Sequence, residues 1–296
     1  MKAGIVIPQG LTGEYEGWEP ERAWARSVQI AQQAERLGFE SIWAYDHFHT
    51  MPEPKDQPTF ESFVFLTALA SRTTTVRLGQ LVMCSAFRNP ALAAKMLSTL
   101  DVVSSGRAEL GIGAGWKRDE WEAYGYGFPS TSERLAILTD GLEVITRMLG
   151  PGRTTYVGRH AVARGAINEP AGLQRPRIPI MVGGNGPMVT WRLAARLADE
   201  VNLDGMMPEE VERALPVIAS RCEEVGRAPG SLRVSANIWE EHVARPGSAR
   251  VELLSKYREL GLARVQCLVR AAAFGDDALE AFAEDARAAG VELASP

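Results

Sequence analysis

The chain has 296 residues, 46% of them hydrophobic and 23% charged, with a net charge of -5 at pH 7. That is enough chain to bury a full core, and an acidic balance without any clustered basic block argues against a nucleic-acid-binding face. No run approaches the roughly 18 apolar residues of a membrane span.

The opening MKAGIVIPQG carries one lysine and a short apolar run stopped by Pro8. It reads as a first strand rather than a signal peptide, so the expected location is cytoplasmic. Cys84, Cys222 and Cys267 are widely spaced and odd in number. They fit small buried apolar residues better than a disulfide framework or zinc ribbon.

Along the chain, eight β-rich runs recur: KAGIVIP, ESIWAYD, TVRLGQLVM, RAELGIG, RIPIMVG, DEVNLDG, SLRVSANIW and ARVQCLV. Segments with helical spacing separate them. In the first, Trp24, Val28, Ala31, Ala34 and Leu37 share a face, and Gly38 stands where a C-terminal cap ends the helix. In the fourth, Leu135, Leu138, Leu142, Ile145 and Leu149 repeat at helical spacing behind Ser130 and Glu133, the capping-box offset. Eight strands each followed by a helix is the count of a closed (β/α)8 TIM barrel, whereas a doubly wound sheet more often stops at five or six strands. No Pro-, Gly- or Ser-rich linker interrupts the pattern, so residues 1–296 are expected to form a single domain. The stretch from about 150 to 177, rich in Pro and Gly with short β-like pieces, reads as an insertion between helix 4 and strand 5, serving as a lid or an interface.

In barrel enzymes the loops after the strands line the active site, and four such loops stand out. Strand two runs into Asp46, His47, Phe48 and His49. A His-x-His at a strand end suggests a metal site, but the fifth and sixth strand ends contain no histidine to complete a coordination sphere, so no metal is expected. The third strand leads to Phe87, Arg88, Asn89 and Pro90, by pattern a buried strand and a helix start. In ELGIGAGW the glycines at 111, 113 and 115 follow G-x-G-x-G, not the dinucleotide spacing. Alternate glycines bare one strand face, for a flat ligand or for a tightly packed neighbour. In PIMVGGNGP a strand ends in Gly183, Gly184, Asn185 and Gly186 before Pro187. That is either a plain βα turn or a place for an anion at a helix N-terminus.

Taken together, LGQLVMCSAFRNPALAAKMLSTLDVVSSGRAELGIGAGW, YGYGFPSTSERLAILTDGLEVI and PIMVGGNGP resemble the bacterial luciferase-like family, especially its branch that uses the deazaflavin coenzyme F420. The resemblance covers nearly the whole chain and implies a (β/α)8 barrel holding a flavin or deazaflavin at the strand C-terminal ends. It further implies a non-proline cis peptide at Leu81–Val82, a bulge that supports the ring. Gly113, Ala114 and Gly115 would flank the ring. Gly183, Gly184 and Asn185 would meet the coenzyme phosphate, with Val182 and Gly186 beside them. Asp46 and His47 match the pair at the ring region, where the histidine serves as acid/base or stabiliser.

This chain departs from the family's F420-dependent sugar-phosphate dehydrogenases at two places. They carry a glutamate where Trp116 stands and a tryptophan near Met51, so their substrate and proton relay do not transfer. Trp116, Phe48, Met51 and Phe87 suggest an apolar or aromatic substrate pocket instead. The resulting expectation is an oxidoreductase moving a hydride between F420 and a small organic substrate, with His47 in the proton role and Asp46 holding or contacting the ring. Histidine suits this because its unperturbed pKa lies near neutrality. The alternative is an FMN-dependent monooxygenase on the same barrel, supplied with reduced flavin by a separate reductase. The GAGW loop, with an excess of arginine over lysine (27 to 5) that hints at a GC-rich genome, tilts the choice to F420. A non-catalytic flavin-binding barrel is a third reading. Family resemblance favours a homodimer, with no nucleic-acid or membrane partner.

Overall fold

The computed structural model describes residues 1–294. In chain order, the first half forms β1 (Lys2–Val6), α1 (Pro20–Arg36), β2 (Ser41–Ala44), α2 (Ser62–Ala70), β3 (Arg77–Gln80), β4 (Met83–Cys84), α3 (Pro90–Val103), β5 (Ala108–Gly113), α4 (Arg118–Ala123) and α5 (Thr131–Met148). There follow β6 (Thr154–Val157), β7 (Val162–Ala166), β8 (Ile180–Gly183), α6 (Thr190–Leu197), β9 (Glu200–Asp204), α7 (Pro208–Glu224) and β10 (Arg233–Ile238). The chain finishes with α8 (Glu240–Val243), α9 (Ser248–Glu259), β11 (Arg264–Leu268) and α10 (Asp277–Ala288).

Each of the eight β-rich runs of the sequence is a strand. They pair in the order β3, β2, β1, β11, β10, β9, β8, β5, and a β3–β5 pairing closes the ring into a parallel barrel. The short β4 continues the third run past Leu81 and Val82 and pairs with β5. Helices cover the outside, so alternate strand residues such as Ile5, Ile42, Leu78, Leu110, Ile180, Val201 and Val265 are buried against them. The outward-facing strand residues are therefore apolar.

The barrel interior, in contrast, is polar at its lower end. Arg264 donates from Nε to Glu200 Oε1 at 2.9 Å and from Nη2 to Glu109 Oε2 at 2.5 Å, and Arg77 also pairs with Glu109. Burial alone would raise the Glu109 carboxyl, but Arg264 and Arg77 overcome it and hold the group down at about 2. Glu200 goes the other way, raised by burial and by the charge of Glu109 despite Arg264.

The first helix buries Ala23, Ser27, Ile30, Ala31 and Ala34 most deeply. The stripe is thus centred about one residue earlier than the apolar pattern suggests, because Ser27 satisfies its hydroxyl on Pro8 O and Tyr15. Trp24, Val28 and Leu37 pack at its edge. Gly38 ends this helix at φ +88°. In α5, Ser130 caps the Glu133 N–H, while the Glu133 side chain turns to Arg159 instead of closing a capping box.

Residues 150–177 form the β6–β7 antiparallel hairpin and an extended return with cis Pro170 and Pro176. Asp140 of α5 grips the hairpin, accepting from Tyr156 Oη at 2.6 Å and the His160 amide at 2.7 Å. A connection from a helix to the next strand lies at the strand N-terminal end of the barrel. The lid expectation is corrected: the hairpin runs along α5 with its tip at Glu133, and the insertion contributes no residue to the cavity described below. Among the described residues no helix is long and apolar enough to cross a membrane.

Candidate active site

The C-terminal ends of the strands surround a cavity of about 550 Å³, a size typical of a small-molecule site. Its floor is built around Val82. The Leu81–Val82 peptide between β3 and β4 is cis, the geometry that the family resemblance implies. Val82 then lies between two glycines of neighbouring strands. A Cβ on Gly113 would meet Val82 Cγ2 at 2.8 Å, and one on Gly183 would meet Val82 Cγ1 at 2.8 Å. The alternate glycines of β5 thus have different jobs. Gly111, below the cavity, is needed for packing, since its Cβ would lie 2.0 Å from Gln80 O. Gly113 makes room for the Val82 side chain.

At the end of β2, Asp46 and His47 diverge. Asp46 is 4% exposed, and its carboxylate accepts four hydrogen bonds. Two come from Arg88 (Nη1 at 2.7 Å, Nη2 at 2.8 Å), one from Ser62 Oγ at 2.7 Å and one from the Cys84 amide at 2.9 Å. Arg88 also bonds Glu61. Burial works to lower the Arg88 guanidinium, but its two carboxylate partners outweigh that and raise it. Asp46 therefore borders the cavity as the fixed anchor of three segments. Burial pushes the thiol of Cys84 beside it up to about 12, which disfavours the thiolate.

His47 turns the other way. Its Nδ1 lies 2.7 Å from Glu120 Oε2. Glu120 Oε1 accepts from the Phe48 amide at 2.9 Å and the His49 amide at 3.4 Å. His49 bonds its own loop through Nδ1 to Thr50 O at 3.1 Å, so the two histidines of the His-x-His do not converge. Trp116 stands edge-on to His47, 6.0 Å between ring centroids, and is 64% exposed at the mouth.

The opposite wall comes from β2, β9 and β10. Asp204 Oδ1 accepts from Asn237 at 2.8 Å and from Trp239 Nε1 at 3.2 Å. Tyr45 faces the same side; burial first, and then the charge of Asp204, raises its phenol. Glu240 and Glu241 complete the rim. Lys117 lines the cavity too, but its ammonium is bonded to Asp119 at 2.6 Å.

Of the residues singled out in the sequence, Asp46, His47, Met51, Leu81, Val82, Phe87, Gly113, Ala114, Gly115, Trp116, Gly183 and Gly184 share this one cavity. Phe48 does not line it, and packs between Phe87 (4.6 Å) and Tyr124 (4.4 Å). Val182 is buried against the helices, because strand alternation turns it away from its inward neighbour Gly183. Asn185 spends its side chain on β9, with Nδ2 to Asp204 O at 2.7 Å and Oδ1 from the Asp204 amide at 2.9 Å. Gly186 lies under Thr190, where helix α6 begins three residues after Pro187. Sequence reasoning missed Glu120 and the pairing of Arg88. Glu120 is an ordinary charged residue on a short helix and Arg88 one in a loop, and only the fold brings them to residues 73 and 42 positions away.

A family model described as luciferase-like monooxygenase matches residues 1–288. An F420-dependent glucose-6-phosphate dehydrogenase of Kineococcus radiotolerans is 32% identical over 229 residues, 76% of this chain and 66% of that protein. A 5,10-methylenetetrahydromethanopterin reductase of Methanolobus tindarius is 28% identical over 209 residues, 71% of this chain and 59% of that protein. The match thus spans less than two thirds of either relative's length. Among solved structures, an F420-dependent secondary alcohol dehydrogenase superposes with a TM-score of 0.78 at 17% identity, covering 95% of this chain and 98% of that one.

Proposed function

This chain belongs to the luciferase-like monooxygenase family, and from that premise we propose that it is an oxidoreductase using coenzyme F420 on a small, uncharged organic substrate. The reading is carried by one observation: a glycine-floored cavity over Val82 with a carboxylate-bound histidine in its wall. Further support comes from the names of the curated relatives, which are F420-dependent enzymes where they name a coenzyme.

When bound, F420 would accept or donate a hydride with its electron pair. Everything else falls to the chain. Leu81, Val82, Gly113, Ala114, Gly115 and Gly183 would carry the planar ring, with the Val82 side chain seated in the space that Gly113 and Gly183 leave. For the phosphate, the Gly184 amide is already bonded to Asn202 O and the Asn185 side chain to Asp204. The backbone amides of Asn185 and Gly186 are the donors left for it, ahead of a short helix. His47 would hold or accept the proton that accompanies hydride transfer, and Asp46 would keep the β2 and β4 ends in register without touching a proton.

The wall argues for the substrate class. Trp116, Met51 and Phe87 are apolar or aromatic, whereas Asp204, Glu240 and Glu241 are acidic. Lys117, the lysine or arginine among the lining residues, is paired. Nothing there would neutralise a sugar phosphate. The discriminating experiment is equilibrium binding of F420 and of FMN to the purified protein, then a substrate screen with the winner. Tight F420 with weak FMN is the expected result, and tight FMN without F420 affinity overturns the proposal in favour of the monooxygenase.

A homodimer is part of the same reading. Helix α2, SFVFLTALA, is apolar nearly all round, and Val64 on its outer side is 72% exposed, with Leu92 also exposed on α3, which packs beside α2. An all-round apolar helix is normally covered, and a second copy would cover it.

A further inference from the structure

We propose that Glu120 is a positioning residue that fixes His47 in the tautomer protonated at Nδ1, so that Nε2 is the atom which takes up and releases the proton. This deepens the reading of His47 as the proton-transfer group and rests on it.

The argument starts from what Glu120 can do. It is 1% exposed, on the short helix α4 in the loop after β5. One of its oxygens, Oε1, is committed to the backbone amides of Phe48 and His49, donors that cannot be changed by rotating a side chain. The other, Oε2, meets His47 Nδ1 at 2.7 Å. A carboxylate has no proton to give, so a neutral imidazole in this place must carry its hydrogen on Nδ1. The lone pair is then on Nε2. No partner within the described residues bonds Nε2, and the ring borders the cavity. With a coenzyme bound to take up the hydride in the oxidising direction, Nε2 would receive the proton released by the substrate O–H. In the reducing direction the protonated ring returns it there.

Glutamine at this position makes a sharp test, because its two ends are unlike. The Phe48 and His49 amides need an acceptor, so the amide oxygen of Glu120→Gln takes the place of Oε1 and its NH2 turns to His47. Nδ1 must then accept, and the ring hydrogen moves to Nε2. The substitution should invert the tautomer while leaving the loop bonded.

The experiment is 15N NMR of the histidine side chains in the whole protein without coenzyme, at a pH where the ring is neutral, with His47→Gln to identify the His47 signals among the chain's four histidines. The expected result is a pyrrole-type Nδ1 and a pyridine-type Nε2 in the parent, exchanged in Glu120→Gln. Turnover of Glu120→Gln should fall about 10²- to 10⁴-fold, the range of a displaced general acid/base, with KM within about threefold of the parent. A parent ring protonated at Nε2, or a Glu120→Gln ring unchanged from the parent, overturns the proposal. If the glutamine variant does not fold, the parent spectrum alone decides. Because this readout needs no coenzyme, failure of F420 to bind would overturn the functional reading and leave the tautomer assignment standing.

Discussion

At residue scale, the Asp46–His47 pair separates into two roles. His47 has its Nδ1 on Glu120 and its other nitrogen without a partner among the described residues, whereas Asp46 has both oxygens filled by Arg88, Ser62 and the Cys84 amide. His47→Ala is therefore expected to lower turnover about 10²- to 10⁴-fold while changing F420 affinity little, measured by steady-state kinetics beside equilibrium binding. Unchanged turnover would remove His47 from the mechanism. Arg88→Met should act on stability instead, since it strands Asp46 buried with two neutral donors. Breaking one side of a buried pair costs about 3–5 kcal/mol, to be read from urea unfolding; an unmoved midpoint would show that the pair contributes nothing. The sequence made Asp46 and His47 visible because they sit together at a strand end. Their partners were invisible because a carboxylate on a charged helix and an arginine before Asn-Pro look like surface residues until the barrel closes.

At the scale of elements, the strand ends are shaped by what Val82 needs. It lies between Gly113 of β5 and Gly183 of β8, so β4, β5 and β8 are fitted to one another through a single branched side chain. Gly183→Ala would put a Cβ 2.8 Å from Val82 Cγ1. Valine has few ways to yield, so the variant should lose about 1–3 kcal/mol of stability by overpacking and bind F420 at least about tenfold more weakly. Thermal unfolding and a binding titration test this, and unaltered affinity would mean that the floor is not the ring site. The helices make their own statement at this scale. If α2 meets a second copy, Val64→Glu should shift the protein from dimer to monomer in light scattering after size exclusion, and a parent that is already monomeric contradicts the dimer outright.

For the whole molecule, the barrel interior is held at its lower end by charge. Arg264 is the centre of a network with Glu200, Glu109 and Glu40. Glu109 titrates at about 2 in the fold against an ordinary 4.5. On acidification the unfolded chain takes up that proton first, so the stability contributed by Glu109 is present above about pH 4.5 and disappears as pH falls towards 2. Glu200, with its raised carboxyl, has the opposite sign and offsets part of that loss. Melting curves of the parent and of Glu109→Gln should therefore lie well apart at pH 7 and draw together below pH 4.5; a constant gap would show that the ion network is not the acid-sensitive part. The sequence by itself determined the alternation of eight strands and helices, because burial on both faces of a strand and on one face of a helix must be written as hydrophobic period. It also determined the bare glycine positions, because an absent side chain can be read without knowing its neighbours. Only the tertiary structure decided that the insertion lies away from the cavity, that Val182 and Phe48 pack elsewhere, and that Glu120 meets His47. Each of these depends on which side of a closed barrel a residue faces, and closure joins residues whose spacing along the chain carries no signal.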